Sequence, residues 1–246
     1  MKNTFLLSTI ALPLLASTVL AEKAPIWIDF GSAAGNATGH YNLINGAGLT
    51  GAQSIAKVKG TYPLIDTDGT PSGSVTVSSE ATSNWGDSLA DVNWTGSKPS
   101  ALSKIQSAAT DDGLFLHATR GKDKPRVSFA FSGLKPQQEY AILFYSARVD
   151  KGIGEGATHI TVTKGNGIGA SISNSFKNSE ELGSFTVTST SNGQFTLDFS
   201  IETNKASAVC ALNFMSITPI AHQSSAALLH FGGITVTLSD PQERTD

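Results

Sequence analysis

Cysteine is nearly absent. Cys210 is the only one in 246 residues, so no disulfide can form within the chain and the fold must stand on packing. It sits beside Val209, Ala211 and Leu212, which reads as a buried structural thiol. Charge is also scarce, at 15% of residues, with a net of −3, which argues against a nucleic-acid partner. The five histidines (His40, His117, His159, His222, His230) show no zinc-ligand spacing. No apolar run is long enough to span a bilayer. Helical periodicity is missing too, apart from a short candidate at Ser100–Ala108.

What is present is a Gly/Ser/Thr-rich chain of short alternating strands. Ile26–Phe30, Ser74–Ser78 and Leu114–Ala118 are bounded by turn residues. Val127, Phe129 and Phe131 alternate with small polar residues, as do Ile160 with Val162 and Phe185 with Val187. Phe195, Leu197, Phe199 and Ile201 form the cleanest amphipathic strand. Tyr140–Ala147 is apolar on both faces, as a strand covered on two sides must be. Ala211–Ile217 reads as the last strand. This spacing without helical crossovers predicts an all-β fold, an antiparallel two-sheet jelly-roll sandwich.

The two ends differ from this middle. Met1–Ala21 has Lys2, a mostly apolar stretch and Val19-Leu20-Ala21 at the cleavage position, the pattern of a signal peptide. Its removal takes one lysine and no acid from 17 basic and 20 acidic residues, giving 16 against 20 and a net of −4. Residues 22–219 are the sandwich domain, and residues 220–246 are a C-terminal tail. In that tail Ala226–Leu238 is apolar but interrupted by His230.

Several landmarks carry a resemblance. Ile28-Asp29-Phe30-Gly31-Ser32 with Tyr41-Asn42, Ser132-Gly133-Leu134-Lys135-Pro136, Phe144-Tyr145-Ser146-Ala147-Arg148 and Ala211-Leu212-Asn213-Phe214 span the domain. Together they resemble a group of exported bacterial β-sandwich proteins with a galactose-binding-like jelly roll. The tail Ser224–Ile234 resembles a degenerate PEP-CTERM sorting signal, without its Pro-Glu-Pro box and basic end. The resemblance implies a secreted or bacterial cell-surface protein whose tail associates with the membrane or envelope. The plainer reading of the tail is a free terminus or an extra edge strand at Ile234–Leu238.

Chemistry is sparse. Gly86-Asp87-Ser88-Leu89 matches the nucleophile block of the GDSL-like esterases. The Asp-x-x-His that supplies their base occurs nowhere in the chain, so Ser88 reads as coincidence. Asp66-Thr67-Asp68-Gly69 offers two carboxylates to a structural calcium, yet the following residues lack further oxygen ligands, and a self-satisfied turn is favoured. Gly165-Asn166-Gly167-Ile168-Gly169 reads as a hairpin loop.

Sugar recognition needs aromatic faces and forked polar groups. Trp85 and Trp94, with Asp91 and Asn93 beside them in a polar stretch, fit that requirement, and Arg148 and the first-loop Tyr41 could reach the same rim. The competing reading places both tryptophans as plugs in the sandwich ends, while Trp27 packs on a sheet face. The expectation is a non-catalytic protein binding a glycan or extracellular polysaccharide, with no cofactor. A surface-layer or biofilm component without a discrete ligand is the alternative, and Ser88 esterase activity is the remote one.

Overall fold

The structure is a computed structural model that describes residues 24–31, 37–44, 60–79, 89–91, 96–111, 113–119, 126–148, 157–202, 207–221, 228–231 and 234–237. Two sheets face each other. The first holds β1 (Ile26–Phe30), β2 (Tyr41–Ile44), β8 (Glu139–Tyr145), β11 (Gly183–Thr188) and β14 (Phe214–Pro219), in the order β11-β8-β14-β1-β2. The second holds β3 (Gly60–Ile65), β4 (Pro71–Ser79), β7 (Arg126–Ser132), β9 (Ala157–Lys164), β10 (Gly169–Ile172) and β12 (Phe195–Glu202), in the order β10-β9-β12-β7-β4-β3. A third sheet, β13 (Ser207–Leu212), β6 (Leu114–Thr119) and β5 (Leu89–Asp91), is ordered β13-β6-β5. The chain is a β-sandwich, as the alternation predicted.

Period-two alternation produces this packing directly. Ile28, Phe30, Ile142, Phe144, Met215 and Ile217 from the first sheet meet Val75, Phe129, Phe131, Leu197 and Phe199 from the second in one buried core. Phe30 and Phe129 lie 5.3 Å apart edge to face, and Phe131 and Phe195 lie 4.8 Å apart. Each such ring contributes about 2–3 kcal/mol through burial, plus roughly 1 kcal/mol for a favourable aromatic pair. Cys210 joins this core, and burial pushes its thiol up to about 12, so it stays protonated.

Three expectations need correction. The sandwich is not wholly antiparallel: β1 and β2 run parallel, Trp27 opposite Tyr41 and Phe30 opposite Ile44. A parallel pair requires the intervening chain to travel back, and residues 37–40 do so. Ala211–Ile217 is not one strand, because β13 ends at Leu212 and β14 begins at Phe214 in a different sheet, with Asn213 as the pivot. The Ser100–Ala108 helix is a 3₁₀ turn, Ser100–Leu102, followed by α1 (Ala108–Asp111).

That short segment still matters. Its Leu102, Ile105 and Ala109 pack with Tyr145, Phe214, Leu143, Trp27 and Tyr41 on the outer face of the first sheet. This explains why β8 reads as apolar on both sides. The tail residues β15 (Leu228–Phe231) and β16 (Ile234–Thr237) pair with each other as a hairpin. No helix among the described residues is long and apolar enough to cross a membrane.

Candidate functional site

Strand direction gives the sandwich two unlike ends. The turns 66–70, 133–138, 165–168 and 189–194 close one end, and all are short. At the other end β1, β4, β8 and β12 finish, and β7, β9, β11 and β14 begin. Residues 45–59, 80–88, 120–125, 149–156 and 203–206 follow or precede those strand ends and lie outside the described residues.

The turn end is self-sufficient. Leu134 N–H donates to Gly193 O (3.1 Å), Ser189 Oγ to Lys135 O (2.7 Å), and Ser189 N–H to Gln138 O (2.9 Å). Gly193 has φ +65, and a Cβ there would lie 2.0 Å from the Leu134 carbonyl, so only glycine fits. Asp66, one of the calcium candidates, spends Oδ1 on the N–H groups of Asp68 (3.0 Å) and Thr70 (2.9 Å). This is the self-satisfied turn, and it leaves Asp68 as an ordinary turn residue. Among the described residues, no three His, Cys, Asp or Glu side chains gather in a way that could hold a metal.

The loop end buries a larger set of polar groups. Asn213 is the hub: its Oδ1 accepts from Ala147 N–H (2.7 Å), its Nδ2 donates to Thr110 O (3.3 Å), and its own carbonyl accepts from Phe30 N–H (2.9 Å). The side-chain amide thereby ties the end of β8 to α1 while the backbone carbonyl holds the end of β1, which explains why a polar residue stands between β13 and β14. Asn178 does the same beside it. Its Nδ2 donates to Ser146 O (2.9 Å) and Glu181 O (2.8 Å), while its Oδ1 accepts from Glu180 and Glu181 N–H. Tyr145 OH donates to Asn178 O (2.6 Å).

Arg148 lies in this end, 3% exposed, with its guanidinium carbon 5.7 Å from the Phe176 ring centroid. The sequence placed it at a rim; the structure places it beneath one. Its N–H donates to Ser175 O (2.9 Å), and its carbonyl accepts from Lys177 N–H (2.8 Å). Ser175 is 0% exposed, and its Oγ has no hydrogen-bond partner.

Asp29 is the other unusual group. It is 1% exposed on the outer face of the first sheet, with Oδ2 accepting from Ala37 N–H (3.0 Å) and Oδ1 without a partner. Burial, only partly offset by the Ala37 hydrogen bond, raises its carboxyl to about 6. Tyr41 is not in a loop but opens β2. Its hydroxyl accepts from Gln106 N–H (3.1 Å), and its ring lies 5.2 Å from Trp27. Gln106 in turn holds Thr38 through both its amide oxygen and nitrogen. Trp27 is thus on a sheet face, as read from the sequence.

Trp85, Trp94, Asn93 and Ser88 fall outside the described residues, as do the signal-peptide segment and most of the tail. Asp91 belongs to β5, opposite Leu114, and the polar stretch that holds it is therefore not all loop. The two tryptophans bracket β5, an edge strand of the third sheet, in sequence. His159 Nδ1 and Ser171 Oγ lie 2.6 Å apart on the outer face of the second sheet. The carboxylate on that face, Asp198, is engaged by Ser128 (2.6 Å) and Arg126 (3.1 Å).

Asp29, Asn213, Asn178, Ser175 and Phe176 were not picked out from the sequence as site residues. For Asp29 and Asn213 a signal existed: each is a polar residue inside an otherwise apolar strand. For the 174–178 segment there was none.

No family model matches the chain, and a search of curated proteins returns no significant match. Solved structures with a similar architecture include TmCBM61 in complex with β-1,4-galactotriose (11% identity, 59% of this chain and 88% of that one, TM-score 0.33). Others are the Clostridium thermocellum Xyn10B CBM22-1–GH10 modules complexed with xylohexaose (10% identity, 56% and 26%, TM-score 0.31) and Arthrobacter globiformis T6 isomalto-dextranase complexed with panose (16% identity, 79% and 32%, TM-score 0.34). The chain therefore spans about a quarter to a third of the latter two.

Proposed function

We propose that this chain is a non-catalytic glycan-binding module, exported by its N-terminal signal and held at or near a bacterial surface, and that it takes its ligand at the loop end of the sandwich. One observation carries this reading. Buried polar side chains (Asn213, Asn178, Arg148, Ser175, Asp29) collect at the loop end, where Asp29 and Ser175 keep polar atoms that no partner engages, whereas the buried side chains of the turn end, Asp66 and Ser189, are taken up by the backbone of their own turns. Such a polar, braced end is what sugar hydroxyls need, and the aromatic faces come from Trp85 and Trp94, which bracket an edge strand of the third sheet. The tail, whose described residues form the β15–β16 pair, serves as the envelope contact.

The test is a glycan array probed with the purified chain, with and without calcium. Saturable binding to one glycan class supports the reading. Trp85→Ala and Trp94→Ala should then each weaken affinity roughly tenfold, since an aromatic contact of this kind is worth on the order of 1–2 kcal/mol. A blank array from folded protein refutes it and favours a structural surface component.

A further inference from the structure

We propose that the turn end of the sandwich docks on a lipid bilayer, with Ile168 entering the headgroup layer, so that the loop end points away from the membrane; this rests on the tail's role as envelope contact stated above. The chain both enters and leaves the sandwich at the turn end. Ahead of β1, Pro25 O accepts from Thr67 N–H (2.8 Å), in the turn between β3 and β4. After β14, Ile220 N–H donates to Glu139 O (2.9 Å). Gln138 Nε2 donates to Ile220 O (2.5 Å) and to Glu139 O (2.9 Å). Gln138 closes the turn 133–138, so the tail starts from a fixed point on this end.

The described strands of the tail form a two-stranded sheet of their own. Their register sets Leu229 opposite Val236 and Phe231 opposite Ile234, two wholly apolar pairs that alternate with Leu228–Thr237 and His230–Thr235. Successive pairs fall on opposite faces, and a two-stranded sheet alone is marginal in water. A pair of this composition gains by lying on a boundary between apolar and polar surroundings.

Ile168 is an independent observation at the same end. Among the described residues it is the one large apolar side chain left exposed, at 90%. A single exposed apolar residue is ordinary on a surface, but the turn has no use for this one. Residues 165–169 read Gly-Asn-Gly-Ile-Gly, Gly165 and Gly169 take φ +96 and +101, and a β-branched residue is a poor turn former. The tip is held stiffly against β11. Asn166 N–H donates to Thr188 O (2.9 Å) and Thr188 N–H to Asn166 O (2.8 Å), and a Cβ on Gly167 would lie 2.6 Å from Thr186 O.

The surroundings suit a headgroup layer. Lys164 Nζ donates to Gln194 Oε1 (2.6 Å), and Ser189 Oγ donates to Lys135 O, which joins the turns 133–138, 165–168 and 189–194 into one surface. Lys135 and Lys164 are exposed on it, and lysines at a membrane surface keep their ammonium groups among the headgroups. The acids of this end are half-buried Glu139 and, on the turn at the opposite edge of the second sheet from β10, Asp66 and Asp68. Charge is close to balance, so the apolar contact decides the affinity.

The experiment measures co-sedimentation of the exported chain, residues 22–246, with vesicles of phosphatidylethanolamine and phosphatidylglycerol, for wild type, Ile168→Ser and Ile168→Leu. Ile168 is exposed, so thermal melts of both variants should match wild type. Ile168→Ser should weaken partition roughly fivefold, a part of what complete burial of an isoleucine contributes, and Ile168→Leu should stay close to wild type. An environment-sensitive dye on Asn166→Cys should shift to the blue on vesicles. The same dye on Glu180→Cys, exposed at the loop end, should not. Cys210 is buried and stays unlabelled.

Unchanged partition of Ile168→Ser overturns the proposal, as does a missing shift at Asn166→Cys or a blue shift at Glu180→Cys; each leaves the tail as the envelope contact. Absence of vesicle binding overturns the proposal together with a lipid contact by the tail. Glycan binding is read separately by the array.

Discussion

The two ends of the sandwich are built from the same strands but close in opposite ways. At the turn end, connections of four to six residues let backbone donors meet backbone acceptors, Asp66 and Ser189 cap the turns' own backbone, and glycines with positive φ absorb the tight bends. At the loop end the connections vary in length from one residue to fifteen, and side chains tie the described strand ends: Asn213 joins Ala147 to Thr110, and Asn178 spans the 178–181 bend. The positive-φ glycines among the described residues lie at or next to the turn end, whereas the one strained residue at the loop end is a lysine. Side-chain closure leaves two groups, Asp29 and Ser175, with buried hydrogen-bonding atoms that no partner engages.

The sharpest way to break this contrast is at the turn end. Gly169→Ala places a Cβ 2.0 Å from the Ile160 carbonyl at φ +101, and should cost about 3 kcal/mol, on the order of 6–12 °C in Tm. Glycan affinity measured at about 20 °C should remain that of wild type.

Next in size, Asn213→Ala strands the Ala147 N–H and the Thr110 carbonyl in the interior. Chemical denaturation should show a loss of about 2–3 kcal/mol, accompanied by weaker ligand binding because the loop end loses its brace.

Asp29→Asn should act in the other direction. The folded-state carboxyl binds its proton up to about pH 6, while the unfolded one releases it near 3.8. Between those values the native state holds more protons, so wild-type stability falls as pH rises through this window and stays lower above it. The ceiling is about 3 kcal/mol. The substituted amide carries no charge, so urea midpoints of the variant should be flatter from about pH 4 to 7 and higher than wild type at pH 7. A variant that keeps the wild-type slope would assign the pH dependence elsewhere.

The smallest effect concerns calcium. Asp66→Ala removes three hydrogen bonds from a partly buried turn and should cost about 1–2 kcal/mol, equally in EDTA and in millimolar calcium. A Tm of wild type that rises with calcium, and an Asp66→Ala variant that does not respond, would show that the turn binds the ion after all.

Much of the sandwich was legible because alternation is a local property. Phe195 to Ile201 reads as an amphipathic strand wherever it sits, and it forms the middle of the second sheet. The doubly apolar run at Tyr140–Tyr145 announced a strand covered on two sides, though not that Leu102 and Ile105 provide the cover. The pairing of β2 was not legible, since Tyr41–Ile44 is four residues long and its parallel partner is fixed by the returning crossover. Nor was the break at Asn213, because an asparagine within Ala-Leu-Asn-Phe-Met looks like one tolerated polar residue. At the candidate site Arg148 was visible as a charge closing a central strand. Phe176 and Lys177 were not, because their relation to Arg148 spans nearly thirty residues and depends on a left-handed bend that no residue type there announces.

The sequence by itself determined the fold class, the inner face of each long strand and the absence of disulfide support, since these follow from side-chain period and residue type. Only the tertiary structure decided which strand ends meet and which polar groups lose water. It brought Asn213, Asn178, Arg148 and Ser175 to one end of the sandwich, and it buried Asp29 under a crossover segment. Strand pairing and desolvation are long-range: they depend on neighbours distant in the chain, and no local pattern encodes them.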